Sequence, residues 1–163
     1  MEANRALIEK FYSAFQKLDY RAMQYCYSVH PIFNDPVFGI IEGDEVKAMW
    51  EMLCRNASDF SLSYSNIELL DEEFATCNWT ATYTFSKTKR RVVNQIKAYM
   101  RIQNGKITEH TDYFKFWKWS RQALGLTGLI LGWSGYLKSK VRANALKSLH
   151  HFMKTNQYGQ LHN

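Results

Sequence analysis

The chain has 163 residues, enough for one domain with a substantial core and too few for two domains of ordinary size. Apolar residues make up 46% of it and aromatic residues 15%, with only two prolines, which excludes a disordered chain. The net charge of +6 is distributed unevenly, because residues 113–163 hold eight basic side chains and no acidic one. Such an asymmetry concerns the partners of a protein and not its fold.

The three cysteines are odd in number, have no C-x-x-C spacing and follow no recognisable signal peptide. We therefore expect reduced thiols and a cytoplasmic protein. The five histidines form no tight ligand motif such as H-E-x-x-H, so a metal site is not expected. The acid–base chemistry considered below would need no organic cofactor either.

The first third of the chain is predicted to be mainly helical. Apolar side chains recur at helical spacing over residues 5–18, and Asp19 is placed to cap a second helix that runs to Cys26. A short strand is predicted at 31–35, and Gly43 opens a third helix.

From residue 60 the period of the apolar residues changes to two. Residues 60–64 and 67–69 predict short strands, and residues 79–85 alternate aromatic or alanine side chains with threonines. Two longer strands are predicted over 92–102 and 106–117. Helices followed by a meander of strands indicate an α+β domain, with the helices covering one face of a curved antiparallel sheet.

The turn at Asn104-Gly105 decides which side chains of the last two strands enter the core. A two-residue loop sets Lys97 opposite Asp112, whereas a three-residue loop with a glycine bulge pairs Ile102 with Lys106 and turns Asp112 inward. We favour the bulge, because it gives the first of the two strands a mainly apolar face. The inward face then carries Asn94, Ile96, Ala98, Met100, Thr108, His110, Asp112, Phe114 and Phe116.

Asp35 and Asp112 are the candidate acid–base residues, since each lies in an otherwise apolar, strand-like stretch. An ionised carboxylate costs several kcal/mol to bury without a partner, so an inward acid is either paired or used. Asp35 precedes Pro36 and could simply start a turn, and Asp112 could pair with His110. Desolvation raises the pKa of an inward aspartate, which suits a general base near neutral pH.

In element order, residues 5–117 resemble the nuclear transport factor 2-like (SnoaL-like) superfamily, a cone of three helices and a curved sheet around a deep pocket. The stretch Phe33-Asn34-Asp35-Pro36-Val37 resembles the ketosteroid isomerase segment that carries the general base. The stretch from Gly105 to Phe114 resembles the last strand of limonene epoxide hydrolase, where the residue matching Asp112 is a catalytic acid/base. The resemblance implies a pocket domain over residues 1–117, polyketide cyclase-like or isomerase-like chemistry, and a homodimer through the threonine-rich outer face of the sheet.

The sequence also departs from both families. The oxyanion-hole tyrosine and protonated aspartate of the isomerase fall on Phe11 and Ala98, and the arginine and second aspartate of the hydrolase fall on Trp79 and Ala81. Neither reaction transfers intact. Tyr12 is the one hydroxyl expected to face the pocket in place of the missing donor.

The predicted site therefore has two groups of residues. The catalytic candidates are Asp35, Asp112, His110 and Tyr12. The ligand-binding candidates are Phe15, Phe33, Trp50, Trp79, Asn94, Ile96 and Phe114.

Residues 118–163 are predicted to form a basic, partly apolar helical extension of the same domain. Residues 123–137 are 15 in a row without a charge, and a helix of that length, about 22 Å, is too short for a bilayer core of about 30 Å. This segment could pack over the pocket mouth or a partner subunit, or residues 118–153 could lie against a membrane. An amphipathic helix is predicted over 139–153, and the basic run 87–91 is predicted to be a solvated hairpin turn without a role in nucleic-acid binding.

Three functions remain open on these grounds. The first is a cofactor-independent enzyme (an isomerase, cyclase or epoxide hydrolase) acting on a small apolar molecule. The second is a non-catalytic carrier or sensor of a lipophilic ligand, and the third is a module that contacts membranes through its basic tail. A shared fold does not decide between them.

Overall fold

Three helices near the N-terminus pack on the sheet in the computed structural model, which describes residues 2–158. They are α1 (Glu2–Gln16), α2 (Tyr20–Cys26) and α3 (Asp44–Arg55). The predicted cap is confirmed, because the Asp19 side chain accepts a hydrogen bond from the backbone N–H of Ala22 at 3.0 Å. Helix α1 buries one apolar face, which consists of Ile8, Phe11, Tyr12, Ala14 and Phe15.

Within residues 2–158 the sheet has six strands, in the order β2-β1-β6-β5-β4-β3. The strands are β1 (Tyr27–Asp35), β2 (Gly39–Glu42), β3 (Ser61–Leu69), β4 (Phe74–Phe85), β5 (Arg90–Gln103) and β6 (Lys106–Tyr113). Strands β1 and β6 pair in parallel and all other neighbours are antiparallel. The predicted α+β class with helices against an antiparallel sheet is confirmed, apart from this one parallel pair. Because β1 and β6 pair in parallel, their C-terminal ends, which carry Asp35 and Asp112, lie side by side.

The β5–β6 hairpin differs from the prediction in where its bulge lies. Asn104 and Gly105 both have positive φ (50° and 69°), so they form a two-residue turn with the twist that hairpins favour. The expected three-residue loop is therefore wrong. The extra residue is instead Thr108, because Ile102 pairs with Ile107 whereas the preceding Arg101 pairs with Glu109.

The displaced bulge still turns Asp112 inward, as predicted, and sets it opposite Ala98. It also lets both Ile107 and His110 face the core, although a regular strand would put residues three apart on opposite faces. The placement of Thr108 on the inward face was wrong, since this half-buried side chain donates its hydroxyl to the carbonyl of Arg101.

Other boundaries also differ from the sequence prediction, since β1 begins at Tyr27 and not near residue 31, and β4 begins at Phe74 and not at residue 79. Residues 61–69 form one strand and not two, because an irregularity with Asn66 at φ 52° is absorbed within β3. Strand β6 ends at Tyr113 and not at residue 117, since a helix already begins at Phe116.

The C-terminal region forms α4 (Phe116–Leu124), α5 (Leu126–Leu131) and α6 (Gly135–Thr155). Helix α6 is longer than the predicted 139–153 because Ser134 caps it, accepting from the N–H of Leu137 at 3.2 Å. It is fastened to α3 by a hydrogen bond of 2.8 Å between His150 and Glu45. None of the helices within residues 2–158 combines the length and apolar character that a membrane span requires.

Candidate acid–base site in an apolar cavity

A cavity of about 370 Å³ lies between the sheet and helices α1, α3, α4 and α6. Aromatic and aliphatic side chains make up most of its wall, as is usual for sites that bind small molecules. The structure places all seven predicted ligand-binding side chains in this wall: Phe15, Phe33, Trp50, Trp79, Asn94, Ile96 and Phe114. The carboxyl groups of Asp35 and Asp112 face the same cavity.

Asp35 is the last residue of strand β1. It starts a turn and also lines the cavity. Its Oδ1 accepts the backbone N–H groups of Val37 at 2.9 Å and Phe38 at 2.6 Å, the turn geometry that an aspartate before proline favours. Burial raises the pKa of Asp35 from 3.8 to about 7, against the opposing effect of these hydrogen bonds; the charge of Asp112 raises it further. The turn and the acid–base interpretation of this residue are thus compatible.

Asp112 lies on β6 and is held by two N–H donors. Its Oδ1 accepts from Nε1 of Trp79 at 3.1 Å and is 3.1 Å from Nε2 of His110. Both contacts fall on the same oxygen, and within residues 2–158 no hydrogen bond reaches Oδ2. The same division holds at Asp35, where both donors bind Oδ1. In each carboxyl group one oxygen accepts both hydrogen bonds, and the other accepts none from the described residues.

Behind Asp112, a chain of hydrogen bonds runs away from the cavity. Nε1 of Trp50 donates to the hydroxyl oxygen of Tyr27 at 3.0 Å, and that hydroxyl is 2.6 Å from Nδ1 of His110. The Tyr27 hydroxyl accepts from the indole N–H and has its own proton to donate to Nδ1, and His110 then donates its Nε2–H in a hydrogen bond to Oδ1 of Asp112. This assignment satisfies every donor with a neutral imidazole. His110 therefore lies behind the wall and positions Asp112, where the sequence predicted a residue at the cavity surface.

Tyr12 is placed differently from its predicted role. It is fully buried and outside the cavity wall, with its ring stacked on Tyr64 at 5.4 Å. Among the described residues its hydroxyl has no hydrogen-bond partner.

A different tyrosine, Tyr83 on β4, does line the cavity. Its oxygen accepts from Nε1 of Trp119 at 2.9 Å, which leaves its own proton free to donate. Burial raises the pKa of Tyr83 to about 12, with the nearby charge of Asp35 adding to the effect, so the hydroxyl stays protonated. The alternation over residues 79–85 put Tyr83 on the inward face, and that signal could have identified it.

Helix α6 closes one side of the cavity. For residues 123–137, packing over the pocket was one of the alternatives that the sequence left open, and of these residues Leu124 lies in the cavity wall. Val141, Asn144, Ala145 and Ser148 contribute to the wall. Arg142, on the same helix, lies against the backbone of Gly39, where a Cβ atom would be 2.9 Å from its Nε. Its charge acts to lower the pKa of Asp35, opposing the larger effect of burial.

Solved structures with the same fold come from several kinds of protein. An LEH-like epoxide hydrolase from M. tuberculosis superposes with a TM-score of 0.65 at 17% identity, over 80% of this chain and 95% of that one. A putative polyketide cyclase from Xanthomonas campestris pv. campestris gives 0.63 at 15% identity, over 75% and 97%. A hypothetical protein from Catenulispora acidiphila DSM 44928 with a ketosteroid isomerase-like fold, solved with trimethylamine, gives 0.62 at 11% identity, over 72% and 91%. At such identities the likeness concerns the fold alone.

No curated protein matches the chain significantly in sequence. The SnoaL-like domain matches residues 8–110, which include all three N-terminal helices except the start of α1, and the sheet as far as His110 of β6. The match, the strand order and the superpositions agree with the resemblance noted from the Asp35 and Asp112 segments. The chain belongs to the SnoaL-like domain family.

Proposed function

We propose that this protein is an enzyme that transfers protons on a small, largely apolar molecule, with Asp112 as general base and Asp35 as general acid. The observation that carries the proposal is that two carboxyl groups, each anchored through one oxygen only, face one apolar cavity. A buried carboxylate without a full set of partners is costly, and such groups cluster where a protein uses them.

The two carboxyl groups differ in the surroundings that the protein gives them. Asp112 accepts two side-chain N–H groups on one oxygen, from Trp79 and His110. Burial raises the pKa of Asp35 to about 7, so in about half of the protein molecules this carboxyl group is protonated at neutral pH. A pair of acids with unequal environments is the usual basis for assigning one as base and the other as acid.

Two reactions suit a paired acid and base of this kind. In the first, Asp112 removes a proton from carbon next to a carbonyl group, while Asp35 or Tyr83 donates to the carbonyl oxygen; returning the proton at another carbon isomerises the substrate. In the second, Asp112 removes a proton from water that attacks an epoxide, while Asp35 protonates the opening oxygen. Both reactions need a base and an acid at once, and general acid–base catalysis of this type contributes about 10²- to 10⁴-fold.

The test uses two probes: an alicyclic epoxide, whose hydration gives a diol, and a β,γ-unsaturated ketone, whose isomerisation gives an ultraviolet-absorbing product. We expect conversion of one of them by the wild-type protein, with a rate that falls as the pH rises above about 7 because Asp35 loses its proton. D112N and D35N should each lower the rate by at least about a hundredfold.

Asp71→Asn is the matched control for D35N. Asp71 accepts the N–H groups of Glu73 at 2.8 Å and Phe74 at 2.7 Å in the same turn geometry as Asp35, but on the exposed surface. D71N should leave the rate unchanged. Equal rates for D112N and the wild-type protein would contradict the assignment of Asp112 as base.

The second candidate function is a carrier of a lipophilic ligand. The mainly apolar wall favours it, because such a wall binds a lipophilic molecule without any reaction. Native mass spectrometry of the purified protein distinguishes the two functions. A carrier releases the bound molecule unchanged after prolonged incubation with the wild-type protein, whereas an enzyme retains its substrate only in D112N.

A further inference from the structure

The surface of α5 and the turn after it carries large apolar side chains that face water. Leu126 is 76% exposed, Ile130 62%, Trp133 74% and Tyr136 69%. With Leu129 and Leu131 they form what we call the α5 surface, which consists of Leu126, Leu129, Ile130, Leu131, Trp133 and Tyr136. A contiguous exposed apolar patch on a monomer usually marks an interaction site.

Helix α5 is oriented with its small residues inward. Gly128 and Gly132 are the buried positions of this segment, and a Cβ atom on Gly128 would overlap the backbone carbonyl of Ser120 on α4. The Ser120 hydroxyl also donates to the carbonyl of Gly128 at 3.3 Å. An ordinary surface helix buries its leucines and exposes its small or polar residues. In α5 the glycines pack closely on α4, and the leucines on the other side of the helix therefore face water.

Basic side chains border this apolar surface. Arg90, Arg91 and Arg121 form a shallow groove together with Leu126 and Leu129. Arg90 is held there because its Nε donates to the carbonyl of Gln122 at 2.8 Å. The segments before and after α5 in the sequence add Lys115, Lys118, Lys138 and Lys140. No acidic residue occurs from residue 113 onward.

We propose that the α5 surface docks on anionic phospholipid bilayers, with its apolar side chains among the acyl chains and the arginines at the headgroup phosphates. Tryptophan and tyrosine beside lysine and arginine are the residues that favour the boundary between acyl chains and headgroups. A second copy of this chain is a poorer occupant, since a symmetric contact would bring two acid-free, basic segments together. Helix α5, with six residues, would lie in the boundary and not span it.

The test is sedimentation of the full-length protein with vesicles of phosphatidylcholine alone, or of phosphatidylcholine mixed with phosphatidylglycerol. We expect binding to the mixed vesicles only, weakened by added salt because the attraction is partly electrostatic. The double variant I130S/W133S should bind at least about tenfold more weakly, and R91E several-fold more weakly.

The matched control is V29S/I40S, because Val29 and Ile40 are equally exposed, at 71% and 68%, but lie on β1 and β2. This variant should bind like the wild-type protein. Circular dichroism of each variant checks the fold, which substitutions at exposed side chains should preserve. On binding, the emission of Trp133 should shift to shorter wavelength, as the difference between the wild-type protein and a W133F variant.

Three results would overturn the proposal. They are no sedimentation of the wild-type protein with anionic vesicles, an equal loss of binding in V29S/I40S, or binding that does not change with lipid charge. Sedimentation velocity without lipid tests whether the α5 surface instead binds a second copy of this chain. A dimer that I130S/W133S abolishes, with no vesicle binding, would assign the surface to a second copy instead.

Discussion

Replacing Asp35 by asparagine tests whether burial in the cavity raises the pKa of this carboxyl group. Asparagine keeps an oxygen that accepts the two backbone N–H groups but carries no charge at any pH. In the wild-type protein the carboxyl group titrates at about 7 when folded and near its ordinary 3.8 when unfolded. Between these values the folded state holds a proton that the unfolded state has lost, so stability falls as the pH rises.

The size of the effect follows from this difference. A tenfold change in proton affinity is worth about 1.4 kcal/mol, so moving the pKa from 3.8 to about 7 corresponds to roughly 4 kcal/mol. This contribution is fully present below pH 3.8 and is lost as the pH rises through about 7. We therefore expect D35N to equal the wild-type protein near pH 4 and to be more stable by roughly 4 kcal/mol at pH 8.

The assay is urea unfolding of both proteins at a series of pH values from 4 to 8.5, compared as the difference in free energy of unfolding. Taking the difference cancels the titration of all other groups that the substitution leaves unchanged. D71N again serves as control, with the opposite trend. Two backbone hydrogen bonds lower the pKa of the exposed Asp71, so D71N should be less stable than the wild-type protein at neutral pH, and the deficit should shrink in acid.

A stability difference between D35N and the wild-type protein that does not change with pH would refute this explanation. So would a D35N protein that becomes relatively less stable as the pH rises, because that would mean a lowered pKa and a carboxylate stabilised by its turn. In either case Asp35 could not serve as an acid at neutral pH.

Further predictions concern the interior and the C-terminal helices. Y27F removes the hydroxyl between Trp50 and His110 and should lower the free energy of unfolding by about 1–3 kcal/mol, whereas Y12F removes a buried hydroxyl without a partner among the described residues and should be neutral or stabilising. Urea unfolding of the two variants compares them directly, and equal losses would contradict the hydrogen-bond assignment. G128A should destabilise the protein by several kcal/mol because its methyl group overlaps the Ser120 carbonyl, while G135A, with no atom near its added methyl, should change stability by less than about 1 kcal/mol. Thermal unfolding of both checks this, and a stable G128A would mean that α5 does not pack on α4 as described. Y83F should leave binding of the substrate nearly unchanged but slow the reaction, so kcat falls more than KM rises, and the opposite pattern would exclude Tyr83 as a donor.

The face of Asp112 was predictable from sequence, but the detail that produces it was not. Only one parity of the β5–β6 register puts apolar residues inward, so the direction of Asp112 follows from the pattern of the strands. The position of the bulge does not follow, since a bulge at Thr108 and one at the turn give the same parity. The exact opposing residue, Ala98, required the structure.

The two tyrosines show a second limit. Tyr12 and Tyr83 are both on inward faces by their spacing, and periodicity carries no information on which part of the interior a side chain reaches. Contacts between distant elements decide it: Tyr12 stacks on Tyr64 of β3, and Tyr83 meets Trp119 of α4. The hydrogen bonds from Trp50 through Tyr27 to His110 could not be predicted from sequence for the same reason, because these residues are far apart along the chain.

The contact between Arg142 and Gly39 links the strength of the acid to a position that takes no part in the chemistry. Any side chain at residue 39 would meet the guanidinium group, at 2.9 Å for the first carbon, and push it from its place. With this positive charge farther away, Asp35 would keep its proton to a higher pH. A substitution at the position of Gly39 alone would thus shift the pH range of activity in a related protein, with both aspartates left in place.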